Sequence, residues 1–453
     1  MSKRDVVSLA RLAGIALCAL VCLAFPARAQ DAVQGQAANR GATPPPAAPQ
    51  SQLSSSTLTG DWGGERTWLH NAGVDINSGV KEEVDGNVYG GLPKGWGQAG
   101  EFDIGATIEA GKLLGIAGGT FQATITQRWG ELPPGDLLQE SLEVAGRGNI
   151  ARLTEFWWRQ KLFNEQLTVK FGRLPQGEFA AFPCEFVNLT FCGPPPGDIV
   201  GNYIFDWPIT QWAAWARYNF ADYDVMVGAY EVNPQDLDLQ FEPGLFCCAT
   251  GVDPRVEFGW SPKFGAQGLQ GHYQAGAWYD TSGGPDVLAG VGGAPFALTG
   301  LPALERQGRY GFYIQGLQQI TGSASYDGDN GWTDKSGLSL FFNFTQADRA
   351  TATLDQQASF GLFYAAPFAF RPDDAIGAVF GWTDFNSRAA EALSLATPGV
   401  ATPGKEYPSE FYYKIQVTPW FDLRPDFQYI VHPGGYANLK NEAIIGFKSD
   451  IKF

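Results

Sequence analysis

The side chains of this 453-residue chain that could do chemistry do not form a catalytic pattern. Its three histidines, His70, His272 and His432, are scattered, and no metal-ligand spacing, nucleophile elbow or glycine-rich phosphate loop accompanies them. What recurs instead is a set of basic, acidic and tryptophan side chains in strand-like segments: Arg128, Glu155, Trp157, Arg159, Lys170, Arg173, Arg309 and Asp426, with Arg217 and Arg424 beside them. Guanidinium forks and carboxylates make bidentate hydrogen bonds, and an indole offers a flat apolar platform, so the chemistry on offer is reversible binding. Neither an enzyme activity nor a cofactor is expected.

The elements that must position these residues are read most easily from Glu442 to Phe453. Ile445, Phe447, Ile451 and Phe453 share one parity, while Lys448, Asp450 and Lys452 share the other, which is the period of a strand with one apolar and one polar face. From Val74 onward sixteen such segments follow, at about 74–89, 99–113, 118–129, 151–163, 165–174, 208–219, 222–233, 251–263, 268–280, 307–320, 334–347, 353–365, 373–386, 409–420, 423–433 and 442–453. Each is long enough to cross a membrane as a tilted strand. Beyond the amino-terminal region no uninterrupted apolar stretch could form a membrane helix, although 44% of the residues are hydrophobic, because an alternating strand hides its lipid face.

The connections alternate in length as a barrel requires. If the first strand runs outward, the long outer loops include 130–150, 175–207, 234–250, 281–306 and 387–408, and the inner turns near Leu114, Asn164, Phe220, Phe264 and Phe421 are short. Residues 321–333 are too long for an inner turn, and the pattern offers no account of them. Charged residues facing lipid at mid-depth cost a few kcal/mol each, so the polar parity is the lumen. A barrel of sixteen strands is too wide for its own side chains to fill, so its interior holds water. Carboxylates separated across a wet lumen lack the burial that raises a catalytic pKa.

Lys3, Arg4 and Arg11, the apolar run Leu12 to Phe25, and Ala27-Arg28-Ala29 have the order of a secretory signal peptide, residues 1–29. Cys18 and Cys22 lack a lipoprotein context. Removing that segment takes away four bases (Lys3, Arg4, Arg11, Arg28) and one acid (Asp5), so the formal charge moves from −16 to −19, which disfavours nucleic acid as a partner. Residues 30–57, rich in Pro, Ala and Gln, read as a disordered periplasmic leader. Residues 58–73 read as a short helical segment that Asp61 caps and Gly73 ends, and 74–453 as the barrel.

Four blocks carry a resemblance. Leu58-Thr59-Gly60-Asp61-Trp62-Gly63-Gly64 with Arg66, Leu69 and Gly73 is the first, and Gly172-Arg173-Leu174 with Glu178-Phe179 and Asn188-Leu189-x-Phe191 is the second. The third is Gly337-Leu338-Ser339-Leu340-Phe341. The fourth is Glu410-x-x-Tyr413 with Trp420, Pro425 to Ile430 and Pro433-Gly434-Gly435. In this order they resemble the carbohydrate-selective porin (OprB-type) family. The resemblance implies an all-β transmembrane antiparallel barrel of 16 strands with a short amino-terminal helix, in the Gram-negative outer membrane, whose outer loops fold inward and which takes up sugars passively. Outer-membrane lipid, lipopolysaccharide and, through the last strand, the assembly machinery are the other partners expected, and homo-oligomerisation is left open. A general diffusion porin, a barrel-anchored binding protein or enzyme, and a soluble secreted β-protein are the alternatives.

Opposed acids and bases would set a field across such a channel. The alternative for each charged candidate is that it is water-facing and paired, and for Trp157 that it packs on loop 175–207. That loop, with Phe179, Phe182, Phe186, Phe191 and Pro194 to Pro196, is the expected constriction. Cys184, Cys192, Cys247 and Cys248 suggest disulfides, either across loops or locally between Cys184 and Cys192, because a vicinal bridge would be strained. Lys448, Asp450 and Lys452 are left between lining the pore and sitting at the periplasmic rim.

Overall fold

The computed structural model describes residues 55–453 except 92–93, 136, 147, 242–246, 328–330 and 334–335. The expected signal peptide, and the expected leader up to Ser54, lie outside the described residues. Sixteen long strands form the wall: β1 Val74–Tyr89, β2 Trp96–Glu109, β3 Gly119–Glu131, β4 Ala151–Leu162, β5 Leu167–Leu174, β6 Gln211–Phe220, β7 Tyr223–Val232 and β8 Gly251–Trp260, followed by β9 Leu269–Asp280, β10 Arg309–Gln319, β11 Gly337–Ala347, β12 Leu354–Ala365, β13 Ala375–Phe385, β14 Lys405–Thr418, β15 Phe421–Val431 and β16 Glu442–Lys452. Each pairs antiparallel with its chain neighbours, and β16 pairs with β1 from Gly79↔Lys452 to Gly86↔Ile445, which closes the barrel. Closure leaves no sheet edge to face lipid.

The residues alternate as the faces demand. Ile104, Phe156, Phe171, Phe258, Phe312, Phe360, Phe427 and Phe447 are exposed, while Glu101, Lys170, Glu257, Gln357, Gln428 and Lys448 are buried. That inversion of a soluble protein's pattern is stable only when the outer face meets lipid. In β4 a bulge at Thr154 shifts the register, so Arg152 and Thr154 face inward outside it, and Trp157 inward beyond it. β14 begins four residues earlier than its alternation predicts. Pro408 has no N–H to donate, and the ladder with β13 is interrupted there but resumes at Glu406 and Lys405.

The short helix α1 (Glu65–Ala72) precedes β1 and ends on Gly73, whose φ of 91° is a left-handed conformation that glycine adopts without strain. Asp61 accepts from the Thr67 N–H at 2.9 Å. Arg66 donates to the main-chain oxygen of Phe453 at 2.7 Å, and the Phe453 N–H donates to Ser78 O at 2.9 Å, so helix and last strand are tied at one rim. The connection between β10 and β11, anomalously long for an inner turn, carries a small hairpin, Ser325–Asp327 with Gly331–Thr333. It turns into the barrel: the Tyr326 ring stacks on His272 of β9, with centroids 3.7 Å apart, and Trp332 packs against the buried cluster of Phe186, Phe191, Leu317, Phe341, Val379 and Tyr412.

Candidate functional site

Two outer loops fold into the barrel, and the charges of the wall hold them there. A loop taken out of water must find partners for its backbone N–H groups. For loop 175–210 Glu410 of β14 accepts from the Val187 and Asn188 N–H groups at 2.8 and 2.9 Å, and Glu257 of β8 accepts from Ala180 N–H at 2.8 Å. Gln274 and Gln315, opposite one another on β9 and β10, both donate to Ala181 O, at 3.0 and 2.8 Å. Phe179, Phe186, Phe191, Val200 and Ile204 bury the loop's apolar side. A short helix, α2 (Pro195–Val200), begins with the prolines, whose fixed φ suits a helix start. A disulfide joins Cys184 to Cys192.

The second loop, 132–150, is held by a buried ion cluster. Lys448 Nζ lies 3.2 Å from Glu83 of β1 and 3.0 Å from Glu143 of the loop, and also donates to Phe186 O at 3.3 Å. Glu83 accepts from Val144 N–H at 2.9 Å. Arg128 Nε donates to Glu101 at 2.6 Å and its guanidinium lies 3.6 Å from Glu143. Leu189 N–H donates to Glu140 O at 2.9 Å, joining the two loops. Lys448, ambiguous between pore and rim, is thus a fully buried anchor for both.

Between loops and wall lies a cavity of about 1090 Å³. Lys81, Glu101, Asp103, Arg128 and Glu155 line it from β1 to β4, Lys170 and Arg217 from β5 and β6, and Glu178 and Trp207 from the long loop. Arg128, Glu155 and Lys170 are the sequence candidates on this lining, with Arg217. Lys170 is bonded to Glu178 at 2.5 Å, and Glu155 accepts from Thr124 at 2.8 Å and from the Trp157 indole at 3.0 Å.

The other candidates sit elsewhere. Trp157 does not line the cavity: it packs with Phe179 of the long loop, Trp215 and Tyr230, and Lys170 lies 3.8 Å over its ring. An indole on the wet face is covered because the inward loop offers it apolar surface. Arg159 reaches Thr120 at 3.4 Å, off the cavity. Arg173 is paired with Asp236 at 3.0 Å, and Arg309 with Asp280 at 2.6 Å and over the Tyr203 ring. Asp426 accepts from Gln428 at 3.2 Å. Arg159, Arg173 and Arg309 brace loops or neighbouring strands, whereas Asp426 bonds Gln428 of its own strand, whose amide donates in turn to Ser141 O of loop 132–150 at 3.0 Å. Cys247 and Cys248, expected among the bridges, are free and exposed. Glu143, Cys184 and Cys192 lie close enough to suggest a metal site, but both sulfurs are spent in the disulfide and Glu143 binds Lys448.

Lining residues absent from the sequence candidates fall into two groups. Lys81, Glu101 and Asp103 sit on the polar parity of their strands, so the signal for them existed. Glu143, Glu178, Phe182, Trp207, Tyr326 and Trp332 come from connections, where no periodicity points inward.

The comparisons agree with this architecture. Residues 94–453 match the sequence model of the family described as "Carbohydrate-selective porin, OprB family". "Porin B" of Pseudomonas aeruginosa is 36% identical over 425 residues, covering 88% of this chain and 92% of that protein. The high-pH structure of Pseudomonas putida OprB superposes with a TM-score of 0.83 at 36% identity, covering 89% of this chain and all of that one, and the low-pH structure with a TM-score of 0.56 at 28% identity, covering 88% and 99%. Sharing the closed sixteen-strand wall and matching this family along most of its length, the chain belongs to the carbohydrate-selective porin, OprB family.

Proposed function

We propose that the protein is an outer-membrane channel for passive diffusion of small neutral carbohydrates, and that the charged cavity is its selective segment. The observation that carries this reading is the lining, in which Lys81, Arg128, Lys170 and Arg217 stand with Glu101, Asp103, Glu155 and Glu178 around a space of about 1090 Å³. A sugar hydroxyl both donates and accepts, so one solute can bridge acid and base at once. An ion of either sign meets like charge on part of the wall. Many of these groups are already paired, so they offer preorganised dipoles and bind weakly enough to release, which conduction requires.

Liposome swelling tests the reading. Sugars of hexose size are expected to enter faster than amino acids of similar size; equal rates would leave a general diffusion porin. Because Trp157 and Arg159 stand off the cavity, Lys170→Met and Glu155→Gln are the substitutions expected to weaken sugar block of ion current.

A further inference from the structure

The hairpin between β10 and β11 leaves an arrangement at the inner end of the cavity that the charged lining does not explain. Tyr326 and Trp332 both border the cavity, their rings edge to face at 6.0 Å. Tyr326 is braced by His272, whose ring nitrogens face Ser261 Oγ and Gln274 Oε1, both at 2.9 Å. Two residue pairs along the same ladder, His272↔Leu317 is followed on the same face by Gln274↔Gln315. Gln315 also borders the cavity and is 3% exposed; its amide nitrogen is used on Ala181 O, but its Oε1 is buried with no hydrogen-bond partner. A buried acceptor left empty in a wall is costly, and a hydroxyl donor is what would satisfy it.

We propose that Gln315, Tyr326 and Trp332 form a second carbohydrate subsite at the periplasmic end of the pore. A pyranose hydroxyl donates to Gln315 Oε1 while the weakly polar C–H face of the ring lies against the hairpin's aromatic surface. The chemistry differs from that of the charged segment: it selects for a flat C–H face beside a hydroxyl, and discriminates against polar solutes lacking one. The inward turn of an otherwise overlong connection then has a purpose, since an inner turn of two residues could not carry aromatic rings into the lumen.

This inference rests on the carbohydrate-channel reading, and one experiment separates the two. Glucose-induced noise of the ion current through single channels in planar bilayers gives the affinity of the pore for sugar. Gln315→Leu keeps the side chain's bulk without an acceptor and gives up the bond to Ala181 O, which Gln274 still makes, and is expected to lower glucose affinity about tenfold. Trp332→Leu, which keeps an apolar contact with the phenylalanine cluster but no ring face, is expected to lower it about fivefold, and Trp332→Phe to restore it to within about twofold of the parent. Unchanged affinity in both Leu variants, with block of the parent channel intact, overturns the subsite alone. A Trp332→Phe channel as weak as Trp332→Leu overturns the stacking role. Absence of glucose block in the parent channel overturns the carbohydrate reading, and the subsite with it. Heat-modifiable migration reports that each barrel has folded, and if Trp332→Leu fails that check, Gln315→Leu decides.

Discussion

At the scale of single residues, the lumen shows what a charge is for once a loop reaches it. Lys448 has no solvent exposure and answers two carboxylates, Glu83 and Glu143, on different elements. Breaking a buried ion cluster by removing one partner leaves uncompensated charge, at a cost of about 3–5 kcal/mol. Lys448→Met is therefore expected to lower the temperature at which the barrel loses its heat-modifiable form. It is also expected to raise single-channel conductance, because Glu143 carries loop 132–150; an unchanged conductance would separate the loop's position from this cation. Arg128 behaves alike, and this explains how a residue can sit on the pore lining and still be structural: its Nε is taken by Glu101 while its outer edge faces Glu143 and the cavity.

At the scale of elements, the loops are held by different means at different depths. Inside the barrel the long loop is cross-linked by Cys184–Cys192 across eight residues. A bridge of that span stabilises by about 2–3 kcal/mol in the chain-entropy account. Replacing both cysteines by serine is expected to make the loop cleavable by added protease while the barrel itself stays resistant. Outside, Asp286 in the loop after β9 accepts from Arg306 at 2.5 Å and from Arg388 at 2.7 Å, the latter at the start of helix α3 (Ser387–Ala396) in the loop after β13. Burial alone would raise Asp286, but the Leu288 and Ala289 N–H groups and both guanidinium groups more than offset it and lower its pKa to about 2. A depressed carboxylate stabilises above its ordinary range near 4 and loses that contribution as pH falls towards 2. The amide hydrogens at the junction of these two outer loops should therefore be strongly protected, relative to their intrinsic exchange rate at the same pH, at pH 7 and less protected below about pH 3. Asp286→Asn should be weakly protected at both, and a parent junction with equal protection across this range would contradict the clamp.

At the scale of the whole molecule, the protein is an outer-membrane barrel whose closure depends on its last strand. β16 seals against β1, and the Phe453 main chain is bonded to Ser78 and Arg66. We propose that this strand is also what the assembly machinery engages, and that lipid and lipopolysaccharide surround the finished wall. Deleting Phe453 removes those rim bonds and is expected to reduce the yield of folded barrel before it alters transport per channel. A normal yield of heat-modifiable protein from that variant would refute the dependence.

The wall was legible in the residues alone. All sixteen segments became strands, because alternation is a local property: each residue's face is set by its neighbours two positions away. The closing pair of β1 and β16 also followed, since an open edge cannot face lipid. Only the tertiary structure decided which lumen charges border open space. Trp157 and Lys170 both lie on the inner face, and only the path of loop 175–210 covers the first and leaves the second at the cavity. That path depends on partners hundreds of residues away, Glu410 for Val187 and Lys448 for Glu143, and nothing in the spacing of a loop records them. The hairpin after β10 makes the same point: its length was visible as an anomaly, but the ring of Tyr326 on His272 exists only where two strands bring them together.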